Sequence, residues 1–216
     1  MTRHPTLLRP HAAPGTTVPA DLHEGLTPLS LIEAEAKWKP VRDNVIVAMK
    51  AHGKPANRFP EHHNWDWAAK AGRLKFLTCR AFGVECDGEY QGLMMVDLSR
   101  AFARLPPDSK KPLVYVDFLE TAPWNSMLFT DKPKYGGVGS VLLRAAVQVS
   151  IDEGFRGRIG LHSLPQAVEF YAWRCGMIDC GPDPSYYNLP YLEMNQQIAE
   201  AFLRGKTKPT PTQQAT

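Results

Sequence analysis

The residues whose types could do chemistry are concentrated in a glycine-rich stretch from Lys134 to Gly154. It places three glycines in four positions, Gly136, Gly137 and Gly139, and continues with apolar residues at helical spacing. Because glycine has no Cβ, the backbone can turn tightly here and approach a ligand closely. The first N–H groups of a helix are unpaired and lie at the positive end of its dipole. The stretch therefore predicts a turn that opens a helix and binds an anion such as a pyrophosphate.

Two common phosphate-binding patterns do not fit this stretch. A Walker A motif needs Lys-Ser/Thr after its second glycine, whereas Ser140-Val141 follows Gly139, and the third glycine of a Rossmann pattern is missing. The pattern K-x-x-G-x-G, at Lys134, Gly137 and Gly139, resembles instead the R/Q-x-x-G-x-G/A signature of the GNAT-type N-acetyltransferase superfamily. Lysine in the first position departs from that signature but keeps its basic character. The alternative is a glycine-rich turn that caps an ordinary core helix.

A second stretch, residues 164–177, resembles the N-x-x-A-x-x-x-Y-x-x-x-G-F pattern of the same family. Ala167 and Tyr171 match it, other residues replace its Asn and Phe, and one extra residue separates Tyr171 from Gly176. The resemblance implies that Tyr171 is the general acid that protonates the departing coenzyme A thiolate. A tyrosine on the core face of an amphipathic helix is the alternative.

The resemblance also implies acetyl-CoA as cosubstrate, without a metal. The glycine turn would hold the diphosphate through backbone amides, and the strand that precedes it would pair its backbone with the pantetheine arm. The residues that this implies for cofactor binding are Leu119, Thr121, Lys134, Gly137, Val138, Gly139 and Ser140.

Two residues are candidates for the base that takes the proton of the attacking amine. Glu120 lies at the end of the strand before the glycine turn, next to the expected position of the thioester. His162, on the neighbouring strand, is the second candidate, because a neutral imidazole near pH 7 suits the role. The alternatives are a salt-bridged Glu120 and a core histidine with satisfied hydrogen bonds. Asp117 is either a partner of Glu120 or structural.

The segment of residues 59–70 carries histidines and tryptophans whose roles stay open. His62, His63 and Asp66 are possible metal ligands, but adjacent histidines point in different directions and no third ligand lies at a standard spacing. Polar groups of a loop or helix cap are therefore expected there. Trp65 and Trp67 could line a pocket for the acceptor, and the alternative for each is a place in the core.

Composition limits the classes of function. With 216 residues and 44% hydrophobic residues, the chain is expected to form one domain of ordinary size. A net charge of +3 from dispersed lysines and arginines is too small for a nucleic-acid-binding surface. Four cysteines without a C-x-x-C pair, and no apolar leader or membrane span, indicate a cytoplasmic protein with reduced thiols.

The elements that must position these residues follow in a mixed α/β order. A helical pattern begins at Pro28 and reaches Gly53, with Pro40 as a possible break into two helices. A β-hairpin, a buried strand over 112–125, the glycine turn with its helix, a strand, a helix and two closing strands come next. The resemblance implies a GNAT-like fold, with a mixed, mostly antiparallel central sheet flanked by helices and parallel strands splayed around an acetyl-CoA cleft.

The predicted organisation is a disordered arm over residues 1–26, a GNAT-like domain over 27–204 and a disordered tail over 205–216. The predicted function is transfer of an acetyl group from acetyl-CoA to a primary amine by direct attack. The acceptor is a small molecule, a peptide or an aminoacyl-tRNA, and a homodimer is an open option. The alternative is a non-catalytic module of the same fold that binds coenzyme A or a partner, because fold does not establish function.

Overall fold

The computed structural model describes residues 4–205, which form two compact units. The first unit ends at Asp97 and resumes over Asp117–Leu143. The second unit contains Leu98–Val116 and the chain from Arg144 onward. One strand and one helix, Val114–Thr121 and Val138–Asp152, contribute residues to both units.

The strands and helices appear in a mixed order along the chain. The strands are β1 (Thr6–Leu8), β2 (Thr17–Pro19), β3 (Asp21–Glu24), β4 (Cys79–Cys86), β5 (Glu89–Asp97), β6 (Val114–Thr121), β7 (Ile159–His162), β8 (Ile178–Asp183) and β9 (Leu189–Met194). The α-helices are α1 (Pro28–Ala51), α2 (Trp67–Lys70), α3 (Val138–Asp152) and α4 (Gln196–Leu203). Short 3₁₀ turns and one π-helix connect them.

The strands pair mostly antiparallel. In the first unit the order is β3-β4-β5, followed by the end of β6, and both β3–β4 and β4–β5 are antiparallel. In the second unit the beginning of β6 pairs parallel with β7 at Val114↔Ile159 and Tyr115↔Gly160. β7, β9 and β8 then continue with antiparallel pairing. The predicted mixed, mostly antiparallel α/β class is confirmed.

Helix α1 forms without a break at Pro40. Thr27 caps its first turn by accepting from the N–H of Ser30, and Pro28 takes a first-turn position that suits it. The face that is buried carries Leu31, Ala34, Glu35, Trp38, Arg42 and Ile46. Apolar residues on the opposite side, such as Leu29 and Ile32, are exposed. The expected division into two helices is therefore wrong, since the buried face holds the helix together across the proline.

The segment before α1 is ordered over residues 4–26, which corrects the prediction of a disordered arm. β1 pairs with β2, and β3 adds to the edge of β4. Leu7, Ala20 and Leu22 are buried, so the segment supplies apolar side chains to the first unit despite its many proline and threonine residues. Leu8 exchanges two backbone hydrogen bonds with Gly136, at 3.1 and 2.9 Å.

The remaining predictions about organisation concern the end of the chain and membranes. α4 begins with Asn195, whose side chain accepts from the N–H of Ile198. Apart from Gly205, the predicted tail lies outside the described residues. None of the helices in residues 4–205 has the length and apolarity needed to cross a membrane.

Candidate active site

The glycine turn and the start of α3 lie in the first unit. Gly137 has a φ of +84°, a left-handed conformation that favours glycine, and its missing Cβ would meet no described atom within 4 Å. α3 begins at the next residue, and the N–H of Val141 donates to the Gly137 oxygen at 3.0 Å. The N–H groups of Val138, Gly139 and Ser140 therefore have no acceptor within the helix. Such a turn offers open backbone and unpaired amides to an anion.

A glycine in β5 lets the start of α3 come close to the sheet. A Cβ on Gly92 would collide with Val138. It would lie 3.1 Å from Leu142 Cδ1 and 3.3 Å from the backbone carbonyl oxygen of Glu120. The sequence analysis did not identify Gly92 as part of the site. The available signal was an isolated glycine inside a strand pattern, which often marks a close approach of another element.

A buried amide fixes the segment that leads into the glycine turn. Gln91 Oε1 accepts from Trp124 Nε1 at 2.8 Å and from Asn125 Nδ2 at 2.9 Å. Asn125 Oδ1 in turn accepts from the backbone N–H of Tyr135 at 2.9 Å. These hydrogen bonds place Trp124 and Asn125 in the structure that shapes the turn.

Lys134 lies beside a carboxylate at the entrance to the turn. Its Nζ is 3.7 Å from Asp87 Oδ2, and Arg9 Nη2 lies 4.0 Å from the same oxygen. Asp87 also accepts a hydrogen bond from the Tyr135 hydroxyl, which is the main reason that the pKa of Asp87 is lowered. Lys134 and Arg9 are about half exposed, so both guanidinium and ammonium groups can turn toward an anion in solvent.

The first unit also contains a buried polar cluster formed by Glu35, Arg42, Trp67 and Glu120, called here the Glu120 cluster. Arg42 donates to Glu120 Oε1 at 3.0 Å, to the Trp65 oxygen at 2.7 Å and to Glu35. Trp67 donates through Nε1 to Glu120 Oε2 at 2.7 Å and through its backbone N–H to Glu35 Oε2 at 3.0 Å. The salt-bridged alternative for Glu120 is therefore what the structure contains, in a fully buried form.

The surroundings of Glu120 favour its protonated form more than water does. The pKa of Glu120 is raised from 4.5 to about 7, chiefly by burial, with the negative charge of Glu35 adding to the effect. Arg42 and the Trp67 hydrogen bond oppose the rise. A carboxyl group with a pKa near 7 exchanges its proton readily at neutral pH, which suits a general base.

Aromatic rings surround the outer side of the Glu120 cluster. The rings of Trp65 and Phe118 meet edge to face with centroids 5.4 Å apart, and Lys70 Nζ lies 4.8 and 4.6 Å from their centroids. The His62 ring packs edge-on against Trp65 and against Phe129. These cation–π and edge contacts hold the segment before α2 against β6. Trp67 lies in the core, as its alternative states, and is fully buried. A role for Trp65 in an acceptor pocket stays a prediction.

Two of the possible metal ligands of this segment, His63 and Asp66, serve as local structure. Asp66 caps α2 by accepting from the N–H of Ala69 at 3.0 Å, and His63 Nδ1 lies 2.7 Å from the Pro60 oxygen. Among residues 4–205 there is no group of three or more His, Cys, Asp or Glu side chains placed to hold a metal ion.

The other residues nominated on β6 lie near its end, in the first unit. Leu119 and Thr121 are half-buried, on either side of Glu120. Asp117 Oδ2 lies 2.6 Å from Arg73 Nη2, so its carboxylate forms an ion pair with that arginine. Pairing of the strand backbone with a pantetheine arm stays a prediction.

The second unit contains another polar cluster, formed by Arg104, Tyr115, His162 and Asp183 and called here the His162 cluster. Asp183 Oδ2 lies 3.0 Å from His162 Nε2 and 2.5 Å from Arg104 Nη2. The Tyr115 hydroxyl lies 2.7 Å from His162 Nδ1. Because an ionised carboxylate only accepts, Nε2 carries the proton of the neutral ring, and Nδ1 accepts from the tyrosine. Both nitrogens of His162 are thus engaged.

The environment of His162 also keeps it neutral. Burial lowers the pKa of His162, although the Asp183 carboxylate acts in the opposite direction. Tyr186 stacks on the imidazole with ring centroids 4.1 Å apart. The alternative stated for His162, a core histidine with satisfied hydrogen bonds, describes this arrangement.

Tyr171 lies on a π-helix, Phe170–Arg174, in the second unit. The N–H of Cys175 donates to the Phe170 oxygen at 3.2 Å, which is the five-residue spacing of a π-turn. The extra residue between Tyr171 and Gly176 is accommodated in this wider turn. Gly176 then ends the segment with a φ of +74°, as a C-terminal glycine commonly does.

Tyr171 is a buried residue. It is 7% exposed, and its ring meets the ring of Phe170 edge to face with centroids 5.0 Å apart. Burial raises the pKa of Tyr171 above its usual value, so the phenol keeps its proton at neutral pH. A phenol that is protonated at neutral pH suits a general acid.

Comparison with known proteins gives a likeness of fold alone. No protein-family model matches the sequence, and no curated protein matches it. The GNAT domain of S. lividans PAT aligns with a TM-score of 0.55 and 15% identity, over 89% of this chain and 96% of that one. A proposed acetyltransferase of the GNAT family from Desulfovibrio desulfuricans aligns with a TM-score of 0.51 and 14% identity, over 82% and 99%. The chain therefore has the fold of the GNAT-type N-acetyltransferase superfamily, as its motifs predict.

Proposed function

We propose that the protein is an N-acetyltransferase that moves an acetyl group from acetyl-CoA to a primary amine by direct attack. The observation that carries the proposal is the glycine turn at the start of α3, with Gly137 in a left-handed conformation and unpaired amides behind it. Within a GNAT fold, this is the position of the K-x-x-G-x-G pattern. The same turn in an unrelated fold would support anion binding only.

The residues present fit acetyl-CoA, which when bound supplies an activated acetyl group on a thioester. The amides of Val138, Gly139 and Ser140 would bind its diphosphate, with the open backbone of Gly137 beside them. Lys134 would add a positive charge by exchanging its contact with Asp87 for a phosphate. The half-buried strand backbone at Leu119 and Thr121 would hold the pantetheine arm.

Tyr171 would neutralise the departing thiolate. Burial raises the pKa of Tyr171, so the phenol is still protonated when the thiolate forms.

Glu120 is the better of the two candidate bases. The pKa of Glu120 near 7 allows it to accept and release a proton at neutral pH. His162 has both nitrogens bound to protein groups, so it has no free lone pair for a substrate. A small molecule, a peptide or an aminoacyl-tRNA as acceptor, a homodimer and a cytoplasmic location stay predictions.

The glycine turn is tested by Gly139→Asp. The new carboxylate would crowd the diphosphate and repel it, so acetyl-CoA binding should be lost in calorimetry while the protein stays folded. Gly72→Asp is the matched control, because a Cβ at Gly72 meets open space and the change adds the same charge elsewhere. Equal acetyl-CoA affinity in both variants would contradict the role of the turn.

The general acid is tested by Tyr171→Phe, which keeps the ring and removes only the donor. Turnover in a thiol-release assay with a panel of amines should fall on the order of 10²–10⁴-fold, with acetyl-CoA affinity little changed. Tyr187→Phe is the control, because Tyr187 is 89% exposed. If acetyl-CoA binds but the parent protein acetylates no amine, the non-catalytic alternative is supported.

A further inference from the structure

The position of Glu120 raises the question of how a proton reaches it. Its side chain is 1% exposed, and each carboxylate oxygen already accepts a hydrogen bond, one from Arg42 and one from Trp67. A substrate nitrogen in solvent contact cannot touch a carboxylate that is enclosed in this way. If Glu120 receives the proton of the acceptor amine, a neighbouring group must pass the proton inward.

One neighbouring side chain of the first unit has the required chemistry. His62 Nε2 lies 3.9 Å from Glu120 Oε1, and the His62 side chain is 15% exposed, so the ring reaches from the buried carboxylate toward solvent. None of the described groups forms a hydrogen bond with either ring nitrogen. Lys70 is also close, but its ammonium lies over the rings of Trp65 and Phe118 and has no lone pair to accept a proton.

The backbone fixes where His62 sits. The N–H of Trp65 donates to the His62 oxygen at 2.9 Å, and the Trp65 oxygen accepts from Arg42 at 2.7 Å. The Arg42 guanidinium therefore binds both Glu120 and the turn that carries His62. A distance of 3.9 Å is too long for a hydrogen bond, so the ring must move closer to Glu120 before a proton passes between them directly.

We propose that His62 is a catalytic residue that takes the proton from the acceptor nitrogen and passes a proton to Glu120. This inference rests on the proposed acetyltransferase function. As the nitrogen attacks the thioester carbon, the C–N bond forms and the C–S bond breaks. The nitrogen releases a proton to His62 Nδ1, the Nε2 proton moves to Glu120 Oε1, and the thiolate takes a proton from solvent. Proton exchange with water restores the two side chains.

The charges around the pair give this transfer its direction. Burial lowers the pKa of His62 to about 4, and the positive charges of Arg42 and His63 act in the same direction. The pKa of Glu120 is about 7. The nearby charge of Glu35 raises it, and the charge of Lys70 lowers it. His62 is therefore neutral at pH 7 and holds an extra proton weakly, so a proton that it accepts moves on to Glu120.

The test combines His62→Gln with a neighbouring control. His63→Gln is the control, because it makes the same change at the adjacent histidine, whose Nδ1 lies 2.7 Å from the Pro60 oxygen. With the best amine from the thiol-release panel, His62→Gln should lower turnover on the order of 10²-fold, whereas His63→Gln should match the parent. Equal turnover in His62→Gln and the parent would overturn the inference. An inactive parent would instead contradict the proposed function.

A second measurement needs neither acceptor nor cosubstrate. The ring resonances of His62 in the free protein, assigned by their loss in His62→Gln, should shift with a midpoint near pH 7 as Glu120 ionises. In Glu120→Gln this inflection should disappear. A His62 ring that titrates near pH 6.5 and responds in the same way in Glu120→Gln would show that the two groups are not coupled, and would overturn the inference.

Discussion

The Glu120 cluster of the first unit and the His162 cluster of the second each hold one of the two bases nominated from the sequence. In the His162 cluster the tyrosine, imidazole and carboxylate form a continuous chain of hydrogen bonds, and both ring nitrogens are used. In the Glu120 cluster the carboxylate is satisfied, but the imidazole beside it, His62, has no hydrogen-bond partner among the described residues.

Burial alone does not distinguish a proposed catalytic base from a structural group. Both Glu120 and His162 are nearly inaccessible, and burial is the first cause of the pKa shift of each. The difference lies in the route by which a proton can enter or leave. A closed chain of hydrogen bonds keeps its protons, whereas an unpartnered imidazole next to a carboxyl group of pKa about 7 can carry one.

Substituting the arginine of each cluster should give the largest expected difference, and this difference is in the free energy of unfolding. Arg42→Met would leave Glu35 and Glu120 buried without their cation, and breaking such a buried pair costs about 3–5 kcal/mol in the free energy of unfolding. The side chain of Arg104 is 45% exposed, so Arg104→Met should cost much less. Urea unfolding of the two variants measures the difference. Equal losses would mean that the Glu120 cluster does not depend on its buried charge pair.

A smaller effect is expected for the second donor to Glu120. Trp67→Phe removes the Nε1–H that donates to Oε2, a hydrogen bond that favours the charged carboxylate. The pKa of Glu120 should then rise further, by about one to two units, since a hydrogen bond to a charged group is worth about 1.5–3 kcal/mol. The midpoint of the acidic limb in the pH–rate profile measures this rise. A midpoint that is unchanged or lower would show that the acidic limb does not report the ionisation of Glu120.

The sequence predicts the parts of the site that depend on local pattern. The glycine turn, the start of α3 and the extra residue before Gly176 are each contained in a short stretch, and the structure has a turn, a helix and a π-helix there. The pairing of Arg42 with Glu120 spans 78 positions and leaves no local signal. The local pattern is even misleading there, because charged residues on the buried face of α1 hide which side faces the core.

Contacts between distant parts of the sequence also explain why the N-terminal strand β3 and the proposed role of His62 were not predicted. β1 and β3 are only three and four residues long. β1 pairs with β2, and β3 pairs with β4, which lies far along the chain. From its sequence neighbours, His62 is interpreted as a possible metal ligand or as a polar group of a loop or helix cap. Its relation to Glu120 follows from the packing of the turn against Arg42, which propensity and spacing do not encode.

The pH dependence of thiol release from acetyl-CoA tests the central claim most directly, with the parent compared with Glu120→Gln and His162→Asn. Because a general base must be deprotonated, turnover of the parent should rise with pH through a midpoint near 7, the pKa of Glu120. Glu120→Gln should lose this limb and fall in rate on the order of 10²–10⁴-fold, while His162→Asn should keep the limb. A limb that persists in Glu120→Gln and disappears in His162→Asn would contradict the account and would transfer the role of base to His162.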